Sequence, residues 1–209
     1  MFDLLERTEL LMEDSRLYAS IVRGDRGERD PAVLAFTMVH NKTMITREML
    51  QFYYRLWTGP TLQVDVDGSN LESEMAERAV YLGKMLFVEV LSAIEHCAKK
   101  VAAEQGIVQG PLSLRFILDS TMAQGLMTAD RNREWNDIIT VRNLAVHDNS
   151  VSDRSKRCVI GTVTLSMRPN RMMKGPLSTF IELARISNQY FYEWLSSVRS
   201  TGRLDEGNV

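Results

Sequence analysis

Residues 70–104 constrain the fold more than any other stretch. Their pattern is that of one long helix, capped by Ser69 or Asn70 after the Asp67-Gly68 turn signal. Its middle, residues 81–98, is apolar on most sides, so other elements must surround it. Leu86, Val90, Ala93, Ile94 and Cys97 form its driest face, and Lys84, Glu89, Ser92, Glu95 and His96 gather on the opposite arc. The charges at Lys84, Glu89 and Glu95 argue against a membrane span.

The flanking segments supply the partners this helix needs. Residues 3–22 read as a helix with Leu4, Leu5, Leu11, Met12 and Leu17 on its apolar side, ended by Gly24-Asp-Arg-Gly27. Asp30-Pro31 pairs an N-cap with a first-turn proline and opens a helix to about residue 39. Thr46, Met49, Leu50, Tyr53, Tyr54 and Trp57 predict a further helix, closed by Gly59-Pro60. Residues 62–66 alternate briefly, as in a short strand. Pro111 starts the next helix, with Leu114, Ile117, Leu118, Met122 and Leu126 as its stripe. Residues 158–168 are β-rich and form a hairpin or single strand, Arg168-Pro-Asn-Arg171 is a turn, and Pro176 opens the last helix. Leu177, Phe180, Ile181, Ala184, Phe191, Trp194, Leu195 and Val198 give that helix its period.

The sum is an all-α bundle with a small β insertion: one mainly helical domain over residues 1–209, ending in a disordered tail at 201–209. A net charge of -2, with 44% hydrophobic and 25% charged residues, lacks the global basic field of a non-specific nucleic-acid binder. Asp3, Glu6 and Arg7 interrupt the place where a signal peptide needs an apolar core, and Cys97 and Cys158 have no metal-ligand spacing. The chain therefore reads as cytoplasmic, with no membrane partner. It contains no Gly-rich phosphate loop, CxxC, HExxH or nucleophile elbow. No cofactor and no metal are implied.

Residues 134–149 carry the most unusual chemistry. On a wheel of about 100° per residue, Trp135, Ile138, Ile139, Ala145 and Val146 share an arc with Arg142 near its middle. Asn143 and His147, four apart, share the neighbouring face. A guanidinium on an apolar stripe needs a partner, since an unpaired buried charge costs several kcal/mol. Two partners fit: an acid such as Glu95 or Glu89, or an anionic ligand such as phosphate.

Arg142-Asn143-Leu144-Ala145-Val146-His147, with Trp135 two turns before it, resembles the signature of the HEPN superfamily: Arg, four residues, His, with a polar residue after the Arg. The resemblance covers residues 70–199 as a HEPN-like core and leaves residues 1–60 as an N-terminal helical extension. It implies a homodimer with the two motif helices facing across a two-fold axis. It also implies a metal-independent endoribonuclease, of the kind found among toxins and phage-defence effectors, partnered by an antitoxin or regulatory protein. In such an enzyme His147 moves protons, Arg142 holds the phosphate, and Asn143 orients His147 or the ribose. Glu95, Ser92 and Glu89 would stand around the cleft, with Glu95 holding the motif arginine. The family also includes members that bind RNA, a nucleotide or a protein without cutting. One departure concerns regulation: the branch modified by a nucleotidyltransferase antitoxin has a Tyr two residues after the His, where this chain has Asn149. Arg154, Lys156 and Arg157, just past the motif, could track an RNA backbone, or form a solvated loop.

Overall fold

The computed structural model describes residues 2–59, 68–108, 112–147, 151–152, 155–172, 176 and 178–201, with backbone only at 57, 68–72, 147, 151–152, 171–172 and 201. The described chain is mostly helical. In order it forms α1 (Phe2–Arg26), α2 (Pro31–Thr58), α3 (Gly68–Glu104), α4 (Leu114–Ala123), α5 (Ala129–His147), β1 (Val151–Ser152), β2 (Lys156–Ile160), β3 (Val163–Met167), β4 (Arg171–Met172) and α6 (Thr179–Thr201). Among the described residues no helix is long and apolar enough to cross a membrane.

Local chemistry sets the helix ends. Gly27, at φ 86°, stops α1. Asp30 then caps α2 by accepting from the Ala32 N–H at 2.8 Å, with Pro31 just inside. The polar run His40-Asn41-Lys42 does not divide α2, contrary to the two helices expected there. Two of these side chains find partners without breaking the backbone ladder: His40 Nδ1 lies 3.1 Å from the Met12 carbonyl of α1, and Lys42 reaches Glu89 of α3. The helix α3 begins at Gly68, ahead of the caps expected at Ser69 or Asn70, and Gly106 ends it at φ 64°. The first turn of α4 follows Ser113, which accepts from the Phe116 N–H, so Pro111 is not its start. Similarly, Pro176 lies in the turn before α6, its carbonyl accepting from the Thr179 N–H. The strand expected at 62–66 and the tail at 202–209 lie outside the described residues.

Four long helices close a ring: α1 packs on α2, α2 on α3, α3 on α6, and α6 back on α1. The helix α3, apolar on most sides, is enclosed as its composition requires. Its predicted dry face, Leu86, Val90, Ala93, Ile94 and Cys97, is buried. Gly83 lets α6 approach closely, for a Cβ there would lie 3.3 Å from Ile181 Cγ1. Aromatic packing fills the ring, with Phe36 on Phe191 and Phe191 stacked on Trp194. The predicted stripe of α1 holds only in part. Leu4 and Leu11 are buried, but Leu17 is exposed, and Thr8, Ser15 and Ala19 take the inner positions. The buried hydroxyls are satisfied: Thr8 donates to the Leu5 carbonyl, while Ser15 donates to that of Leu11 and accepts from Asn188 of α6.

The pair α4–α5 packs against the other side of α3. Strands β2 and β3 form an antiparallel hairpin with Cys158 opposite Leu165, and β1 pairs with β4. Cys158, Ile160, Leu165 and Met167 point inward, and the hairpin rests on α5 and α6.

Candidate functional site

The helix α5 is anchored at its N-terminal end. Thr128 caps it, accepting from the Arg131 N–H. Asn132 donates to Asp119 of α4 at 2.8 Å. Its buried face is Trp135, Ile138, Val141 and Ala145. This differs from the wheel drawn on the sequence: Val141 is inside, Val146 is exposed, and Ile139 is only partly covered. The correction matters for Arg142, which sits at the margin of the buried face and is half-buried. Its charge therefore keeps contact with solvent, and the cost of an interior cation does not arise.

Arg142 lines a groove of about 270 Å³ between α3, α4 and α5. Leu91, Leu114 and Ile139 supply its apolar surface; Glu95, Ser113, Arg115 and Asn143 supply the polar groups. Among the described residues Arg142 makes no ion pair, and its Nη1 donates to Asn143 Oδ1 at 3.3 Å. Asn143 thus steadies the arginine. The Glu95 carboxylate shares the groove but pairs with Lys99 at 2.9 Å.

Arg115 was not anticipated. It stands in the first turn of α4, where the helix dipole disfavours a cation, so helix stability does not explain it. The same first turn, with the positive end of the α4 dipole, lines the groove. The signal was available in Ser113, a cap residue two positions before Arg115, and the proline at 111 obscured it. With Glu95 neutralised by Lys99, two guanidiniums and a helix N-terminus leave the groove positive, suited to an anion.

The other candidates fall elsewhere. Glu89 pairs with Lys42 at 3.1 Å, and Ser92 donates to the Val88 carbonyl; both line a separate groove between α2 and α3. Lys156 is tied to Asp137 of α5, and Arg157 is exposed on β2. His147 is the last residue of α5, one turn beyond Asn143; its side chain, with Arg154 and Asn149, lies outside the described residues. No group of three His, Cys, Asp or Glu placed to hold a metal ion occurs among the described residues.

A larger cavity, about 530 Å³, lies away from Arg142 against Trp135, Tyr190 and Trp194. Its cation, Arg131, is already engaged by Glu134 at 2.8 Å, Glu193 at 3.0 Å and the Tyr190 ring at 3.4 Å. Burial foremost, then a hydrogen bond with Glu134, pushes the Tyr190 hydroxyl up to about 12. The cavity therefore has no free charge to offer, and the Arg142 groove is the stronger candidate. No family model matches the chain, and neither does any curated protein or solved structure.

Proposed function

We propose that this chain is a metal-independent endoribonuclease of HEPN type, acting as a homodimer. The observation that carries this is Arg142, without an acid partner among the described residues, facing a groove it shares with Arg115 and the start of α4. A phosphodiester fits such a place: a forked, permanent cation grips its oxygens, and helix N–H groups share the charge. Support from the sequence is the Arg142-Asn143-x-x-x-His147 run, which ends α5. In the proposed reaction His147 removes the proton of the ribose 2′-OH, whose oxygen attacks the adjacent phosphorus. Arg142 stabilises the charge that builds on the phosphate. The P–O5′ bond breaks, leaving a 2′,3′-cyclic phosphate and, once protonated, a 5′-OH.

The test is incubation of pure protein with single-stranded and structured RNA in EDTA, with end analysis of the products. Cyclic phosphate ends are expected, and Arg142→Ala and His147→Ala should abolish them while circular dichroism is unchanged. Cleavage that persists in both variants would overturn the proposal. A second reading, binding without cleavage, is favoured by one observation: the residues lining the described groove include no histidine, and their charged groups are Glu95, Arg115 and Arg142. It predicts that Arg142→Ala weakens RNA, nucleotide or partner binding while wild type forms no product. The toxin role, with an antitoxin as partner, predicts growth arrest on expression that Arg142→Ala relieves.

A further inference from the structure

The groove at Arg142 carries one acid and two cations, Glu95, Arg115 and Arg142. A single forked guanidinium is enough to grip one phosphate, and Arg142 fills that part. Glu95 is the member that phosphate does not explain. A carboxylate on the wall of an anion site weakens the anion's binding, so it needs a ligand that also brings hydrogen-bond donors. Its carboxylate is available to one. The side chain is half-buried, Lys99 engages only Oε1, and among the described residues nothing pairs with Oε2. A solvent-facing pair four residues apart on one helix is weak and readily shares its carboxylate. Arg115 is exposed and makes no ion pair among the described residues.

We propose that this groove selects guanine, with Glu95 and Arg115 as the residues that read the base. The inference rests on the reading that Arg142 grips a nucleotide's phosphate. Of the four RNA bases, guanine alone sets two donors side by side on its Watson–Crick edge, N1–H and the N2 amino group. An ionised carboxylate accepts both at once. Adenine turns its N1 acceptor to the same oxygens, cytosine its N3 acceptor, and uracil a carbonyl on each side of its one N–H, so each of these is repelled. The neighbouring edge of guanine offers O6 and N7, the acceptor pair that an arginine fork fits. The acid thus meets the donors, one guanidinium the acceptors and the other the phosphate, which uses every charged group lining the groove. Leu91, Leu114 and Ile139 supply an aliphatic wall for the base plane. A groove of about 270 Å³ takes one base at a time, as from single-stranded RNA or a free nucleotide.

Calorimetric titration of the full chain in EDTA tests this, with the 5′- and 3′-monophosphates of guanosine, adenosine, cytidine and uridine. A guanosine monophosphate should bind at least about tenfold more tightly than those of the other three bases. Glu95→Gln exchanges one acceptor oxygen for a donor, the arrangement that fits adenine. The guanosine preference should be lost in that variant, and adenosine monophosphate should bind more tightly than to wild type. A merely structural Glu95 has no reason to move the preference from one base to another. Equal affinity for all four, no binding at millimolar nucleotide, or a guanosine preference that survives Glu95→Gln overturns the proposal. Sequencing of the ends of treated RNA separates the sources of the base. Cleavage beside guanosine places it in RNA. Guanosine selectivity without any cleavage makes the ligand a free guanine nucleotide and overturns the nuclease reading alone. Cleavage beside every base, with equal affinities, overturns the guanine reading alone.

Discussion

Glu95 and Arg142 line one groove without joining in an ion pair; the carboxylate goes to Lys99, a turn further along α3. A structural role for Arg142 needs the opposite arrangement, with the acid turned onto the guanidinium and both closed from water. Here the arginine is half-buried, steadied by Asn143, and open to a ligand. Glu95 instead offsets one nearby cation, so the groove carries a modest positive field.

Arg142→Ala should therefore separate stability from function. No buried acid is orphaned by the change, so its cost to folding should stay under about 1 kcal/mol, against roughly 3–5 for a broken buried pair. Denaturant melts of wild type and variant, read beside RNA binding, check both halves. A loss of several kcal/mol would return Arg142 to a structural role.

The acid limb of stability should depend on Glu182. This buried carboxylate of α6 accepts from Arg7 of α1 at 2.7 Å and from Arg185 at 2.9 Å. Burial pushes its pKa up, but the hydrogen bonds and charges of Arg185 and Arg7 together outweigh burial and hold it below 4.5. A depressed folded pKa contributes stability that is complete above the unfolded value and is lost as pH falls through the folded one. Asp3, held down chiefly by its hydrogen bond with Ser178, adds to this loss, and Asp14, which burial pushes up, acts in the opposite sense. Glu182→Gln should cost roughly 2 kcal/mol near neutrality, and its melting temperature should fall less than wild type's between about pH 6 and pH 3.

What could be read in advance divides along physical lines. Asp30-Pro31, Gly27 and the composition of α3 act locally, so the start of α2, the end of α1 and the central helix were legible. The hairpin was visible as a β-rich segment. The continuity of α2 was not, because the polarity of His40, Asn41 and Lys42 says nothing about whether neighbouring helices offer partners. On α5 the wheel put Ile139 and Val146 on the buried arc and left Val141 off it. The packing of α3, α4 and the hairpin selects Val141 over Val146, which moves Arg142 from the centre of the stripe to its edge. Arg115 joins the groove only through the docking of α4 beside α5, and no motif spans that contact.

Both thiols should be inert in the folded chain. Cys97 and Cys158 are buried and unpaired by disulfide. Burial, the largest influence on each, pushes Cys97 up to about 12 and Cys158 up to about 11. At about pH 8 neither exposes thiolate to a reagent. Titration with a coloured aromatic disulfide should give almost no signal in native buffer and two equivalents after denaturation, two being the cysteine count. Rapid native labelling at either position would show that its cover opens.

Gly161 should tolerate no side chain. It is the first residue of the two-residue turn between Ile160 and Val163, at φ 52°, where a glycine suits the twist of a tight hairpin. Its N–H donates to Glu134 of α5 at 3.0 Å. A Cβ at this position would stand 3.2 Å from both Ile186 Cδ1 and Tyr190 Oη of α6, so the turn is pressed onto the bundle as well as left-handed. Alanine therefore meets backbone strain and crowding together, with an expected loss of about 1–3 kcal/mol. The effect should extend to the hairpin's own anchorage. Amide exchange across β2 and β3 should quicken in Gly161→Ala, while the ring of α1, α2, α3 and α6 keeps its protection. Equal loosening of α3 would mean that the hairpin and the ring open as one unit.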